Sequence, residues 1–362
     1  MNSTMNYPGL WFEDGDIVLS ANPHVGDARR LFLVHKHTLS SYSPVFWNIF
    51  NEPSGVRAED VDGIQAKNDV ELLQVNDPAS DLAELLQCLY YPTQMPFNFK
   101  EPTVNIDMGG LLRLCKKYDI ADLAARVVNQ LKFEWPTSLA IYEQHEARVR
   151  MLGLAHADAP GGQIDEKYLD DRFPEPASIV ALAREFDIPE LLPAAFYALS
   201  LISPRAKYDM YHSPIARQHP ECAARLAMLT RSARWSLLAP ADLLRLARGQ
   251  DQLRSPTALT KMFEGRTRSA DCSAGCDALL VALRRLAGDT HDILGALTYL
   301  RIYITEPDRA PKMKICRTCA AATCGVVATL RLRIWSSLPL WFGVPGVRWH
   351  QSNQNWPADQ VR

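Results

Sequence analysis

Two short apolar runs, Ile17-Val18-Leu19 and Leu31-Phe32-Leu33-Val34, flank Asn22-Pro23-His24-Val25-Gly26-Asp27, a stretch rich in turn formers. Short runs bounded by turn residues are the signature of paired strands. Periodicity alone leaves a buried helix open, but each run is too short to make a good one. A third strand candidate covers 71–75, and beyond about Gly109 the hydrophobic spacing is helical throughout. A chain that starts with strands and continues as helices belongs to the α+β class, with a short sheet first and an all-α region after it.

The helices of the first third carry their own start and stop signals. Ser43-Pro44 opens one: the serine can cap orphan amides, and proline suits a first helical position where its missing N–H costs nothing. Val45, Phe46, Ile49 and Phe50 then share a face. Residues 51–69, with Pro53, Gly55, Gly63 and several acids, lack any period and are expected to be a surface loop. Asp77-Pro78 repeats the cap-and-proline start before Leu82, Leu85, Leu86 and Leu89, spaced by three and four. Tyr91-Pro92 should end that helix, because the residue before proline is pushed out of the helical region.

Two later segments read alike, Leu114-Cys115-Lys116-Lys117-Tyr118-Asp119-Ile120-Ala121-Asp122-Leu123 and Leu182-Ala183-Arg184-Glu185-Phe186-Asp187-Ile188-Pro189-Glu190-Leu191. Each is expected to join two helices, with the first aspartate capping the second helix and the aromatic and isoleucine packing the pair together. Further helices are expected at 222–233, 241–248, 277–286, 292–303 and 316–335. The domain reading is a unit at 12–133, a linker and loop at 134–175, a helical domain at 176–344 and a polar tail at 345–362.

The ordered set in the first unit resembles the BTB/POZ domain. The resemblance rests on Asp16-Ile17-Val18-Leu19, on Phe32-Leu33-Val34-His35-Lys36-His37-Thr38-Leu39-Ser40, and on Ser43-Pro44-Val45-Phe46. The helix at 81–90 and the helical pair at 111–131 complete it. Trp11-Phe12-Glu13-Asp14-Gly15 and Ile334-Trp335-Ser336-Ser337-Leu338-Pro339-Leu340-Trp341-Phe342-Gly343 further resemble the large BTB families of fungi. The resemblance implies a non-enzymatic interaction module: self-association or partner docking, and in many members recruitment of substrates to a cullin-type ubiquitin ligase. Cullin-binding members carry an apolar-x-Glu motif, which Phe50-Asn51-Glu52 fits, with Pro53 directly after it. A BTB-containing transcriptional regulator is the alternative.

Among residues that could carry chemistry, the cysteines stand out. Cys272 and Cys276 form a C-x3-C, and Cys316 and Cys319 a C-x2-C; four such thiolates would complete a closed structural zinc site. The competing reading is buried or surface thiols at chance spacing, and Cys324 nearby is either a substitute ligand or an idle thiol. A similar pair of cysteine pairs occurs in the fungal BTB proteins that this chain resembles. A redox role for Cys316 and Cys319 lacks the preceding strand it would need. His35 is expected to be a hydrogen-bonded structural group at a strand-to-helix step; His212 and His219 could serve as ligands together with Cys222, but exposed loop histidines are the commoner case. Asp170-Asp171 and Glu59-Asp60 read as solvated acids, and Lys261, Arg266 and Arg268 as solvated surface.

No nucleophile elbow or phosphate-binding glycine loop is present in the sequence. Lys plus Arg total 39 against 41 Asp plus Glu, so no net field favours nucleic acid or an anionic membrane. Residues 1–16 lack the basic start and apolar core of an export signal, and no run approaches the ~18 apolar residues of a membrane span. The expectation is an intracellular protein, cytoplasmic or nuclear, whose 8 cysteines are reduced thiols or metal ligands.

Overall fold

The computed structural model describes residues 4–22, 29–51, 70–93, 101–228, 231–254, 276, 292–305 and 315–347. The chain divides into two compact units, Met1–Leu131 and Lys132–Arg362. Cys272, Glu52, the acids at 59–60, the basic cluster at 261–268, the loop read at 52–69, the helix read at 277–286 and most of the tail lie outside the described residues.

The first unit is built on a four-stranded mixed sheet in the order β1-β3-β2-β4. These strands are β1 (Thr4–Trp11), β2 (Ile17–Asn22), β3 (Arg29–Val34) and β4 (Glu71–Pro78). β2 and β3 pair antiparallel, with Val18 opposite Leu33 and Leu19 opposite Phe32, so the two apolar runs do form the expected hairpin. β1 joins β3 and β4 joins β2, both in parallel. The runs are continuously apolar because the sheet is covered on both faces. Val18, Leu31, Leu33 and Leu72 fill one side, while Ile17, Leu19, Phe32 and Val34 are buried on the other. β1 is the element that the sequence pattern did not announce. Pro8 and Gly9 interrupt it, and both are tolerated at a sheet edge, where Gly9 takes a positive φ of 85°.

The helices follow the signals at 36–51 closely. α1 (Lys36–Tyr42) gives way to α2 (Pro44–Asn51), and Ser43 Oγ accepts from the Phe46 amide at 3.0 Å. α3 (Ala79–Tyr90) buries Leu82, Leu85, Leu86 and Leu89 as their spacing requires, and ends before Tyr91. Its start differs from expectation. Asp77 caps nothing; it belongs to β4, where its carboxylate takes Lys117 Nζ at 2.6 Å and the Tyr118 hydroxyl. A buried carboxylate finds a stronger partner in an ammonium than in a backbone amide, and the fold supplies one. α4 (Val104–Lys117) and α5 (Ala121–Glu134) form the closing pair.

The second unit is helical. α6 (Leu139–Asp158), a 20-residue helix, occupies much of the stretch read as linker. α7 (Pro176–Glu185) and α8 (Leu192–Ser200) make the second hairpin, followed by the short α9 (Tyr208–His212), α10 (Pro214–Arg217) and α11 (Pro220–Ala227). The longer α12 (Pro240–Arg254), α13 (Ile293–Thr305) and α14 (Arg317–Trp341) complete the described part. Ile334, Trp335, Leu338 and Phe342, from the segment that resembles fungal BTB proteins, are core residues here. Phe342 stacks on Phe196 at 5.5 Å, and a Cβ on Gly249 would lie 1.9 Å from its ring, so only glycine lets α12 come this close.

Both helical hairpins turn by the same device, which is not the expected N-cap. Asp119 and Asp187 each adopt φ 53°, and the following isoleucine amides reach back to Cys115 O at 2.8 Å and Ala183 O at 2.9 Å. The aspartates therefore sit at the left-handed position that closes the preceding helix, which Asp tolerates better than most residues.

Candidate functional site

In the first unit, the α1–α2 corner presents aromatic groups on a rigid frame. Phe46 is wholly buried and stacks on Tyr118 at 4.2 Å and on Phe50 at 5.7 Å. Ser43 Oγ donates to the Tyr118 carbonyl at 2.5 Å, tying α2 to the end of α4. On the solvent-facing side of this short helix Trp47 is 56 % exposed, and Tyr42, at the end of α1, is 42 % exposed. Beside Tyr42 opens a groove of about 280 Å³ that Leu89, Pro92, Ile120 and Arg126 also line. An exposed tryptophan whose backbone is locked is the residue type that most often anchors a protein contact. Phe50, proposed from the apolar-x-Glu pattern, is half-buried, with Lys36 Nζ 5.9 Å from its ring centre. Trp47 offers more free surface than Phe50, and only the solvent exposure of its helix face reveals that.

His35 is a structural group, as its position implied. Its amide donates to Tyr90 Oη at 2.8 Å, Nδ1 lies 3.0 Å from the same hydroxyl, and Nε2 is 3.3 Å from Asp14. Phe12 stacks on Tyr90 at 4.5 Å, closing the strand-to-helix step.

In the second unit, three of the four expected cysteines come together. The sulfurs of Cys276, Cys316 and Cys319 lie within 4.8 Å of one another, Cys276 being buried and the other two half-buried. Cys316 is the N-cap of α14; its sulfur accepts from the Cys319 amide at 3.3 Å, and the Cys316 amide points at Cys276 Sγ at 3.4 Å. With Zn–S bonds of about 2.3 Å, this spacing suits one tetrahedral ion. The cluster can therefore bind a metal. Cys324, further along α14, is outside the cluster, and burial pushes its thiol pKa up.

The same unit holds a charged network that the sequence hid. Asp170 and Asp171, read as solvated, are buried, and so is the side chain of His212. His212 Nε2 lies 2.9 Å from Asp170 Oδ2 and Nδ1 3.0 Å from Asp171 Oδ1. Arg231 Nε bonds Asp170 at 2.9 Å and Arg217 Nη2 bonds Asp171 at 2.5 Å; Arg217 Nη2 also lies 2.9 Å from His212 Nδ1. Burial alone would lower the pKa of His212, but hydrogen bonds and charge from both aspartates outweigh it and raise the value. Burial would raise both aspartates, but the hydrogen bond from His212, with the charges beside it, holds them low instead. No local pattern signals such a cluster, because its members come from three separate segments.

No helix among the described residues is long and apolar enough to cross a membrane. Comparison with curated proteins gives no match for the chain. The sequence model of the BTB/POZ domain matches residues 16–133, about a third of the chain. Strand hairpin, capped α2, α3 and, but for its last residue, the closing pair fall inside those limits: residues 16–133 are a BTB/POZ domain.

Proposed function

We propose that this protein is a non-enzymatic adaptor that uses its BTB/POZ domain to dock on a cullin-type ubiquitin ligase scaffold and on a second copy of itself. Trp47 carries the reading: it is a 56 % exposed tryptophan on α2, held in place by buried Phe46 and Ser43. Phe50 and Glu52 extend the same contact along the chain. Affinity in such a contact comes from a few desolvated anchors rather than from total area. The helical region would then present a surface for the protein to be recruited. Its Cys276, Cys316 and Cys319, with Cys272 as fourth ligand, would hold a structural zinc that pins the start of α14.

Light scattering on the eluting full chain tests self-association. A mass at or above twice the 40.6 kDa of one chain is expected, and a strict monomer at high concentration removes that part of the reading. The transcriptional alternative would show itself as DNA retention that falls steeply with salt. The adaptor reading expects no such retention.

A further inference from the structure

The helical unit also contains a cavity of about 420 Å³, lined by α6, α8 and the start of α13. Its form follows from residue spacing on two helices. Tyr142, Glu146 and Val149, at i, i+4 and i+7, share one face of α6, and Ala194 and Ala198, one turn apart, share a face of α8. The two alanines are too small to fill the space they line, which leaves a void walled by hydrocarbon and tyrosine rings. Pockets of this size hold a compact small molecule, and most of them combine apolar walls with a few placed polar groups.

The charges beside the cavity are matched within the protein. Glu146 Oε2 accepts from Arg331 Nη2 and from Thr298 Oγ1, each at 2.9 Å. Glu143 takes Arg331 Nε at 3.2 Å and Arg301 Nη1 at 3.7 Å. Asp292 accepts from Tyr197 Oη at 2.8 Å and from the Gly295 amide at 2.9 Å, and Arg231 bonds Asp170 at 2.9 Å. Arg150, one turn beyond Glu146 on α6, completes the balance: the guanidiniums of Arg331, Arg301 and Arg150 stand against the carboxylates of Glu143, Glu146 and Asp292. An ion of either sign would give up its water without meeting an unspent counter-charge, whereas an uncharged body gains by leaving water for apolar walls. One polar group is left for a ligand. His145 lines the cavity, its ring meets Phe133 edge-on at 6.0 Å, and it makes no hydrogen bond among the described residues. Burial, and then the charge of Arg148, lowers its pKa and favours the neutral imidazole, which offers one donor and one acceptor.

We infer that this cavity binds a neutral, amphipathic small molecule, whose single hydroxyl bonds His145 while its hydrocarbon body lies against Tyr142, Tyr197 and Ala198. A hydroxyl both donates and accepts, so it suits either tautomer of the imidazole.

The test is calorimetric titration of the full chain with 2-phenylethanol, with its cationic analogue 2-phenylethylamine and with the anion phenylacetate. The alcohol is expected to bind with a Kd below about 1 mM and at least about ten-fold more tightly than either ion. Ala198→Phe, which fills the cavity without touching the charged network, should weaken the alcohol about ten-fold while circular dichroism shows the fold retained. His145→Phe keeps the ring and removes the hydrogen bond, and should weaken the alcohol about five-fold. Equal or tighter binding of the amine or the acid, absence of binding by the alcohol at about 1 mM, or wild-type affinity for the alcohol in either folded variant would each overturn the assignment.

Discussion

Ser43 and Tyr118 join the beginning of α2 to the end of α4: the serine hydroxyl donates to the tyrosine carbonyl at 2.5 Å and accepts from the Phe46 amide at 3.0 Å. One buried side chain thus caps a helix and clamps it to a distant segment. Ser43→Ala removes both bonds without leaving a large void. A loss of about 1–2 kcal/mol in unfolding free energy is expected, measured by urea denaturation of the full chain.

Glu84, on α3, makes the BTB/POZ domain sensitive to alkaline pH. Burial first, then the charges of Asp107 and Asp81, push its carboxyl from 4.5 up to about 8, and its Oε2 is buried without a partner among the described residues. The native state therefore holds this proton more tightly than the unfolded chain does. Its contribution is fully present below 4.5 and is lost as pH rises through about 8. Glu84→Gln keeps a neutral group of the same shape. The variant should match the parent near pH 5 and melt at a higher temperature near pH 9, by thermal denaturation at the two pH values.

The His212 network gives the helical unit the complementary profile. The raised His212 pKa contributes stability below the unfolded value of 6.5 that is lost as pH rises through the folded value. The depressed Asp170 and Asp171 contribute stability above 3.8 that is lost as pH falls through their folded values. Asp170→Asn leaves Arg231 and His212 short of a buried counter-charge and should destabilise the unit by about 3–5 kcal/mol near pH 6. Hydrogen exchange of the amides in 160–240 reads this locally, and unchanged protection there would contradict it.

The elements that local chemistry determines were legible in the sequence: the β2–β3 hairpin, the Ser43-Pro44 start and the leucine face of α3. Others depended on partners far along the chain. Asp77 looks like a helix cap until Lys117 and Tyr118 are beside it. Asp119 and Asp187 were recognisable as hinge residues, but whether an aspartate closes one helix or opens the next depends on the sign of φ, which residue type alone does not decide. The Cys276, Cys316 and Cys319 cluster was readable because thiol spacing is itself the signal, whereas His212 and its two aspartates carry no spacing rule at all.

The thiol cluster makes a direct prediction about metal content. The purified chain should contain about one equivalent of zinc by elemental analysis, and chelation should lower the melting temperature, because an ion bound only to the native state stabilises it. Cys276→Ser and Cys319→Ser should each reduce the zinc content. Zinc well below one equivalent with no change on chelation would leave the sulfurs as packed thiols.

Trp47 provides the most direct test. Calorimetric titration of the full chain with a purified cullin N-terminal domain should give saturable binding, weakened by about ten-fold or more in Trp47→Ala. Because the side chain is 56 % exposed, that variant should keep its unfolding free energy within about 0.5 kcal/mol of the parent. No binding by the parent chain, or equal binding by parent and variant, would contradict docking through this face.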